Sequence, residues 1–162
     1  MVRKAKKSNS KTDEVGGVYR FVLYGPPMVQ KNSKQIVWSN RHPFQRSPKL
    51  VDAPKVKKWR NDIKAQAKAQ WAGKDPLTGD LGVIVVAYLG KRQRPDVDNL
   101  AAGPLDALEK SGIVENDRQF SMAVVIRRTD WEDPRVEVFV TESPRLSAAI
   151  LGGGALLEFI GG

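Results

Sequence analysis

The segment Gly82–Leu89, GVIVVAYL, holds eight consecutive residues without a charge. Such a run reads as an interior strand buried on both faces, because a strand with one solvated face would alternate apolar and polar residues. It is far shorter than the roughly 20 apolar residues a membrane-spanning helix needs. A strand of this kind requires packed layers above and below it, so the rest of the chain must supply them.

The flanking segments fit that role. Val18–Tyr24, VYRFVLY, reads as a strand stopped by Gly25-Pro26-Pro27. A short strand is expected at Gln35–Trp38, and residues 39–53 read as an extended loop with Pro43, Pro48, Arg41, Arg46 and Lys49. Pro54–Ala72 reads as a helix. Its apolar residues Val56, Trp59, Ile63, Ala67 and Trp71 recur every three or four positions and share one face. Asp52 is its candidate cap and Gly73 its stop. The two tryptophans of that helix read as core. A second helix is expected over Asn99–Ser111, with Asp98 as N-cap and Gly112 as C-terminal glycine. Gly103-Pro104 should kink that helix or delay its start. Phe120–Thr129 and Arg135–Thr141 read as strands around a short acidic turn. The order predicts a single mixed α/β domain at 18–142, with one mixed sheet and two main helices. Residues 1–17, with Arg3, Lys4, Lys6, Lys7 and Lys11, read as a disordered basic arm. The apolar, glycine-rich tail 143–162 has no assigned role; within it, Leu146–Ile160 suits a small amphipathic element or a subunit contact.

Charge narrows the partner. The formal net charge is +9 over 162 residues, which favours a polyanion or a membrane surface. Residues 31–74 carry twelve Lys and Arg against two Asp, a net of +10. Residues 75–162 carry nine against fourteen acids, a net of −5. This separation can place a basic surface beside an acidic, metal-attracting pocket. The chain has no cysteine, which excludes disulfides, thiolate zinc sites and a cysteine nucleophile. The one histidine, His42, reads as a solvated loop residue. A bound metal would therefore take oxygen ligands, favouring Mg2+ or Mn2+. No signal peptide is visible at the N-terminus, so the cytoplasm is the default compartment.

The informative segment is Lys91-Arg92-Gln93-Arg94-Pro95-Asp96-Val97-Asp98-Asn99-Leu100. If the backbone stays extended through Asp98, Asp96 and Asp98 project to the same side. Two carboxylates that close repel each other unless a cation lies between them. The pair follows a buried strand, opens a helix and sits beside basic residues. Acids beside cations suit phosphodiester hydrolysis, where a metal activates water and offsets charge on the phosphate. A third acid, Asp117, follows the helix. The helix carries the chain away by about 20 Å. Residues 112–117 can span about that distance, so Asp117 can return to the pair or reach the site of a partner subunit.

The longer segment RPDVDNLAAGPLDALEKSGIVENDRQ resembles the signature of RusA-like Holliday junction resolvases of the phage type. That signature is a basic residue, Asp-x-Asp-Asn-Leu, Asp-Ala-Leu, a glycine turn, and a final acid before Gln. PPMVQKNSKQI resembles the N-terminal segment of the same family, and the match spans roughly 18–141. The resemblance implies a homodimeric crossover junction endodeoxyribonuclease, dependent on Mg2+ with Mn2+ as a substitute, that nicks symmetric strands of four-way and branched DNA. It implies no membrane and no small-molecule cofactor. Asp96, Asp98 and Asp117 match its metal-binding catalytic aspartates, while Asn99 and Asp106 flank that site. Lys31, Asn32, Lys34, Arg46, Lys49, Lys91, Arg92 and Arg94 are the candidate DNA contacts. One position departs from the family: the usual helix lysine is Ala102 here. Lys91, Lys110, Lys31 or Lys34 would have to replace it, or nuclease activity would be weak, leaving a junction-binding protein of the same fold. A basic RNA-binding protein is the reading from another class, and it leaves the acidic segment unexplained. Nothing resembles a helix-turn-helix, a zinc finger or an RNA-recognition aromatic pair, so binding should be governed by branch geometry and phosphate contacts.

Overall fold

The computed structural model describes residues 12–29, 34–42, 45–91 and 93–151, with the backbone alone at 39–42 and 45–47. The apolar run forms strand β5 (Leu81–Leu89). Seven strands are described: β1 (Asp13–Val15), β2 (Val18–Tyr24), β3 (Lys34–His42), β4 (Gln45–Asp52), β5, β6 (Phe120–Thr129) and β7 (Arg135–Glu142). Five of them make a mixed sheet in the order β1-β2-β7-β5-β6. β5 lies antiparallel to β7 and parallel to β6, so it has a neighbour on each side.

Its side chains serve two cores. Val83, Val85, Ala87 and Leu89 join the larger one with Phe21, Leu23, Trp59, Ile63, Trp71 and Leu108. Ile84 and Val86 join the smaller one with Phe139 and Leu146. Helices α1 (Pro54–Trp71) and α2 (Ala102–Lys110) supply the first face. Helix α3 (Ser143–Leu151) covers part of the second. Both faces of β5 are thus occupied, and alternation disappears from its sequence. α3 falls in the tail that had no assigned role, and β1 falls in the segment expected to be a disordered arm. No helix among the described residues is long and apolar enough to cross a membrane.

The predicted face of α1 is the buried one: Val56, Trp59, Ile63, Ala67 and Trp71 all lie inside. Its cap differs. Ala53 occupies the N-cap without a side-chain bond, because the Asp52 carboxylate instead accepts from Arg60 Nη1 at 2.7 Å. The α1 stop is as expected, with Gly73 at φ +79°. Glutamines of α1 also seal one border of the sheet. Gln70 takes the Val22 N–H at 3.0 Å and donates to the Val22 carbonyl at 2.9 Å. Gln66 does the same for Tyr24 at 2.7 and 3.0 Å.

Two expectations are corrected. Residues 39–53 are not a loop: β3 and β4 pair antiparallel as a separate two-stranded ribbon, with Ile36 opposite Leu50 and Trp38 opposite Pro48. A two-stranded ribbon has outward-facing N–H groups on both strands, so it tolerates Pro48. His42 ends β3 rather than sitting in a loop. The second helix starts at Ala102, not Asn99. Pro104 is its third residue, the last position whose N–H needs no intrahelical acceptor, so the proline sets where the helix can begin. Its end is as expected, with Gly112 at φ +76° and the Ile113 N–H reaching the Leu108 carbonyl at 3.0 Å.

A chain of ion pairs ties the two large-face helices together. Arg60 on α1 bonds Asp52 and also Asp106 on α2, at 2.9 Å, and Lys110 meets Asp106 at 2.7 Å. Burial opposes ionisation of Asp106, but hydrogen bonds from Lys110 and Arg60 overcome it and hold the carboxyl below its ordinary 3.8.

Two predictions follow from this packing. A Cβ added at Gly82 would lie 2.6 Å from Leu146 Cδ2 and 2.9 Å from its Cβ. Gly82→Ala should therefore lower stability by about 1–3 kcal/mol in thermal unfolding, with partial recovery when Leu146→Ala is added. Arg60→Ala should cost about 1–3 kcal/mol near neutral pH. Because the Asp106 pKa is depressed on folding, its contribution is present above 3.8 and fades as pH falls below that value. The gap between parent and Arg60→Ala in urea unfolding should close over the same acid range.

Candidate nuclease site

The loop after β5 is held from two sides. The Gln93 side chain accepts the Gly90 N–H at 2.9 Å and donates to the Pro27 carbonyl at 2.9 Å, tying the loop to the end of β2. Arg127 on β6 donates from Nη1 to the Pro95 carbonyl at 3.0 Å. Leu100, 2% exposed, anchors the far end in the core. Between these ties lie Asp96 and Asp98, both exposed, with Asn99 half-buried.

The backbone of the pair is not a strand. Asp96 is extended, at φ −67° and ψ 143°, and Val97–Asn99 then turn into a 3-10 helix. Period-two alternation therefore ends at Val97. Asp98 lies inside this short turn rather than capping α2, whose N-cap is Ala101. The turn packs against β6.

Asp117 is placed elsewhere. It opens a second 3-10 turn, Asp117–Gln119, directly before β6. The Asn116 side chain accepts the Arg118 N–H at 2.9 Å, and Gln119 donates to the Leu77 carbonyl at 3.0 Å and the Gly79 carbonyl at 3.3 Å. These bonds fix the turn beside the start of β5. The chain does not double back after α2, because Ile113 and Val114 are buried and Leu77 bridges to that stretch. Asp117 thus sits at the start of β6, and the Asp96/Asp98 loop is tied near its end. The seven steps from Phe120 to Arg127 cover roughly 23 Å of strand at about 3.3 Å each. Among the described residues, no three His, Asp or Glu side chains come together to hold a metal ion. The described residues of one chain do not by themselves fit a three-carboxylate metal site.

The basic candidates divide by position. Lys91 and Arg94 are exposed on the loop of the acid pair, and the Lys91 ammonium lies 5.7 Å from the centre of the Trp131 ring. Lys34 and Lys49 are exposed on the β3–β4 ribbon. Lys31, Asn32 and Arg92 lie outside the described residues, and Arg46 is placed by its backbone in β4. Ala102 is exposed at the first position of α2. Of the lysines offered in its place, Lys110 is engaged by Asp106. Asp106 itself links α1 to α2, a structural task.

Arg127 was missed by the sequence reading. Its signal was an Arg127-Arg128 pair ending an otherwise uncharged strand, where side chains meet the loop from the neighbouring strand. Beside it, Arg135 stacks over Tyr88 at 3.9 Å and binds Asp130 and Glu137, each at 2.8 Å, which fixes the turn between β6 and β7.

A sequence model of the family Endodeoxyribonuclease RusA matches residues 25–141. That range holds the acid-pair loop, α2, Asp117 and, of the sheet strands, β5, β6 and all but the last residue of β7. The chain is 29% identical over 84 residues to the crossover junction endodeoxyribonuclease RusA of Aquifex aeolicus, covering 49% of this chain and 62% of that protein, less than two thirds of its length. It is 29% identical over 127 residues to the crossover junction endodeoxyribonuclease of Enterobacteria phage HK97, covering 76% of this chain and 94% of that protein. With the family match running through most of the sheet and both large-face helices, the chain belongs to the RusA endodeoxyribonuclease family.

Proposed function

We propose that this protein is a Mg2+-dependent, homodimeric endodeoxyribonuclease of the cytoplasm that resolves four-way DNA junctions by paired symmetric nicks. The observation that carries the reading is the family match over 25–141, together with two relatives both named crossover junction endodeoxyribonucleases.

The arrangement of side chains supports this reading. Asp96 and Asp98 are exposed carboxylates on a loop held at both ends, next to Lys91, Arg94 and Arg127. In the proposal these cations hold the phosphates that flank the cut, and they position rather than read sequence. Binding should then weaken steeply with salt. In this reading Asp117, at the start of β6, does not complete the acid pair of its own chain, since no three carboxylates come together among the described residues. In the dimer, Asp117 of one copy meets Asp96 and Asp98 of the other, giving the oxygen donors that a hard cation takes. Such shared sites would come in two copies about one two-fold axis, as paired nicking of a symmetric junction requires.

A second reading rests on Ala102. The first position of α2 carries no ammonium, and Lys110 is held by Asp106, so the family's lysine has no evident replacement on that helix. The protein would then bind junctions and cut them weakly.

The test is cleavage of a synthetic four-way junction with and without Mg2+, for the parent, Asp98→Asn and Ala102→Lys. Paired nicks that need the metal and fall at least 100-fold in Asp98→Asn are expected, with little gain from Ala102→Lys. Tight binding without cleavage by the parent, and a large gain in Ala102→Lys, would favour the second reading. Equal affinity for linear duplex and junction would contradict both.

A further inference from the structure

The β3–β4 ribbon presents apolar side chains that the two cores do not use. Residues paired across antiparallel strands lie on one face, so Ile36 with Leu50 and Trp38 with Pro48 form a single apolar surface. Ile36 and Leu50 are each 64% exposed, and Trp38 is 60% exposed. The opposite face carries Val37 and Val51, also exposed, beside Gln35 and Lys49. None of these residues belongs to either core. A contiguous apolar patch left on a surface marks a place of contact.

Charge and position identify what it contacts. Residues 31–51 carry Lys31, Lys34, Arg41, Arg46 and Lys49 and no acid. Asp52, at the root of the ribbon, is taken by Arg60. Two ribbons of this charge repel each other, which disfavours a second copy as the occupant. Cations interleaved with an exposed aromatic suit nucleic acid, the cations on phosphates and the apolar face on base planes. The ribbon also lies toward the acid pair. Gln66 bonds Tyr24 and Gln70 bonds Val22, so α1 runs against β2 and starts beyond the end of that strand. Gln93 ties the acid-pair loop to Pro27 at the same end. The ribbon, joined to the start of α1, therefore leaves the fold at the end that carries Asp96 and Asp98.

We propose that the face built by Ile36, Trp38, Pro48 and Leu50 packs against unstacked bases at the branch point of the DNA, and that Trp38 determines the preference for branched over linear DNA. A continuous duplex keeps its base planes stacked on one another, and a branch point is where they come free. Lys34 and Lys49 can hold the phosphates of any DNA, whereas the apolar face needs open bases. The inference rests on the junction-nuclease reading and adds the feature of the substrate that the ribbon recognises.

The test uses the full chain carrying Asp98→Asn, so that strands stay intact, with a four-way junction and a linear duplex that each hold 2-aminopurine, beside the branch or at mid-length. Binding should change the fluorescence beside the branch, and Trp38→Ala should abolish that change. Trp38→Ala should weaken junction binding by about 5- to 100-fold and duplex binding by less than about twofold, while Trp38→Phe stays within about threefold of the parent. Leu50→Ser, on the same face of the other strand, should show the same selective loss with an unchanged circular dichroism spectrum, which separates the effect from misfolding. Lys49→Ala should weaken both DNAs alike. Trp38→Ala and Leu50→Ser proteins that bind both DNAs as the parent does, or weaken on both equally, overturn the proposal. So does loss of the dimer by light scattering in Trp38→Ala, which makes the face a contact between copies. Loss of binding to phosphatidylglycerol vesicles with DNA selectivity intact makes it a membrane surface and overturns it too. A chain that selects branches through Trp38 but, with Asp98 restored, cuts no junction keeps this proposal and removes the nuclease reading. A chain that cuts junctions and selects them without Trp38 does the reverse.

Discussion

The structure depends on burying β5 on both faces. Val83, Val85, Ala87 and Leu89 face one core while Ile84 and Val86 face the other. Neither set can be solvated at reasonable cost, since each large apolar side chain gives about 1.5–3 kcal/mol on burial. Two helices must therefore lie on one face and a third element on the other. That element is α3, and Gly82 leaves the room for Leu146 to reach the sheet. The placement of the site follows, because the loop leaving a central strand emerges between its neighbours and can be tied to both. Gln93 reaches the end of β2 and Arg127 reaches back from β6.

The elements that pack in the core were the legible ones. The stripe Val56, Trp59, Ile63, Ala67, Trp71 gave α1 its buried face, and the uncharged run gave β5. What escaped were features set by contacts outside local pattern. Apart from Asp52, the described side chains of the ribbon β3–β4 are exposed, so no apolar alternation marks it. Asp52 had the composition of a cap, but Arg60, two turns further on, draws its carboxylate away. Pro104 was correctly read as an obstacle, and of the two outcomes open to it the helix takes the delayed start.

The acid motif shows the same division. Its residues and spacing were legible, and the family match covers them. Their relative placement was not. Extended geometry would have aligned Asp96 with Asp98, but the backbone turns at Val97. A stretched 112–117 would have returned Asp117, but Ile113 and Val114 are apolar and remain in the core beside Leu77. Burying those two residues outweighs any attraction between distant carboxylates, which would in any case repel without a cation. The result is a chain in which Asp117 precedes the start of β6 while the loop of Asp96 and Asp98 is tied to Arg127 near its end.

The account's central claim is that two copies assemble each site. It is tested most directly by co-expressing Asp98→Asn and Asp117→Asn chains under different tags, isolating the mixed dimer and measuring nicking of a four-way junction. Each variant alone should be inert. In the mixed dimer one site combines both substitutions, while the other combines intact Asp96 and Asp98 with an intact Asp117. Recovery of single-strand nicking without paired resolution is the predicted result. A mixed dimer that forms, binds the junction and remains as inert as its parents would contradict the account, because it would place all three aspartates of each site within one chain.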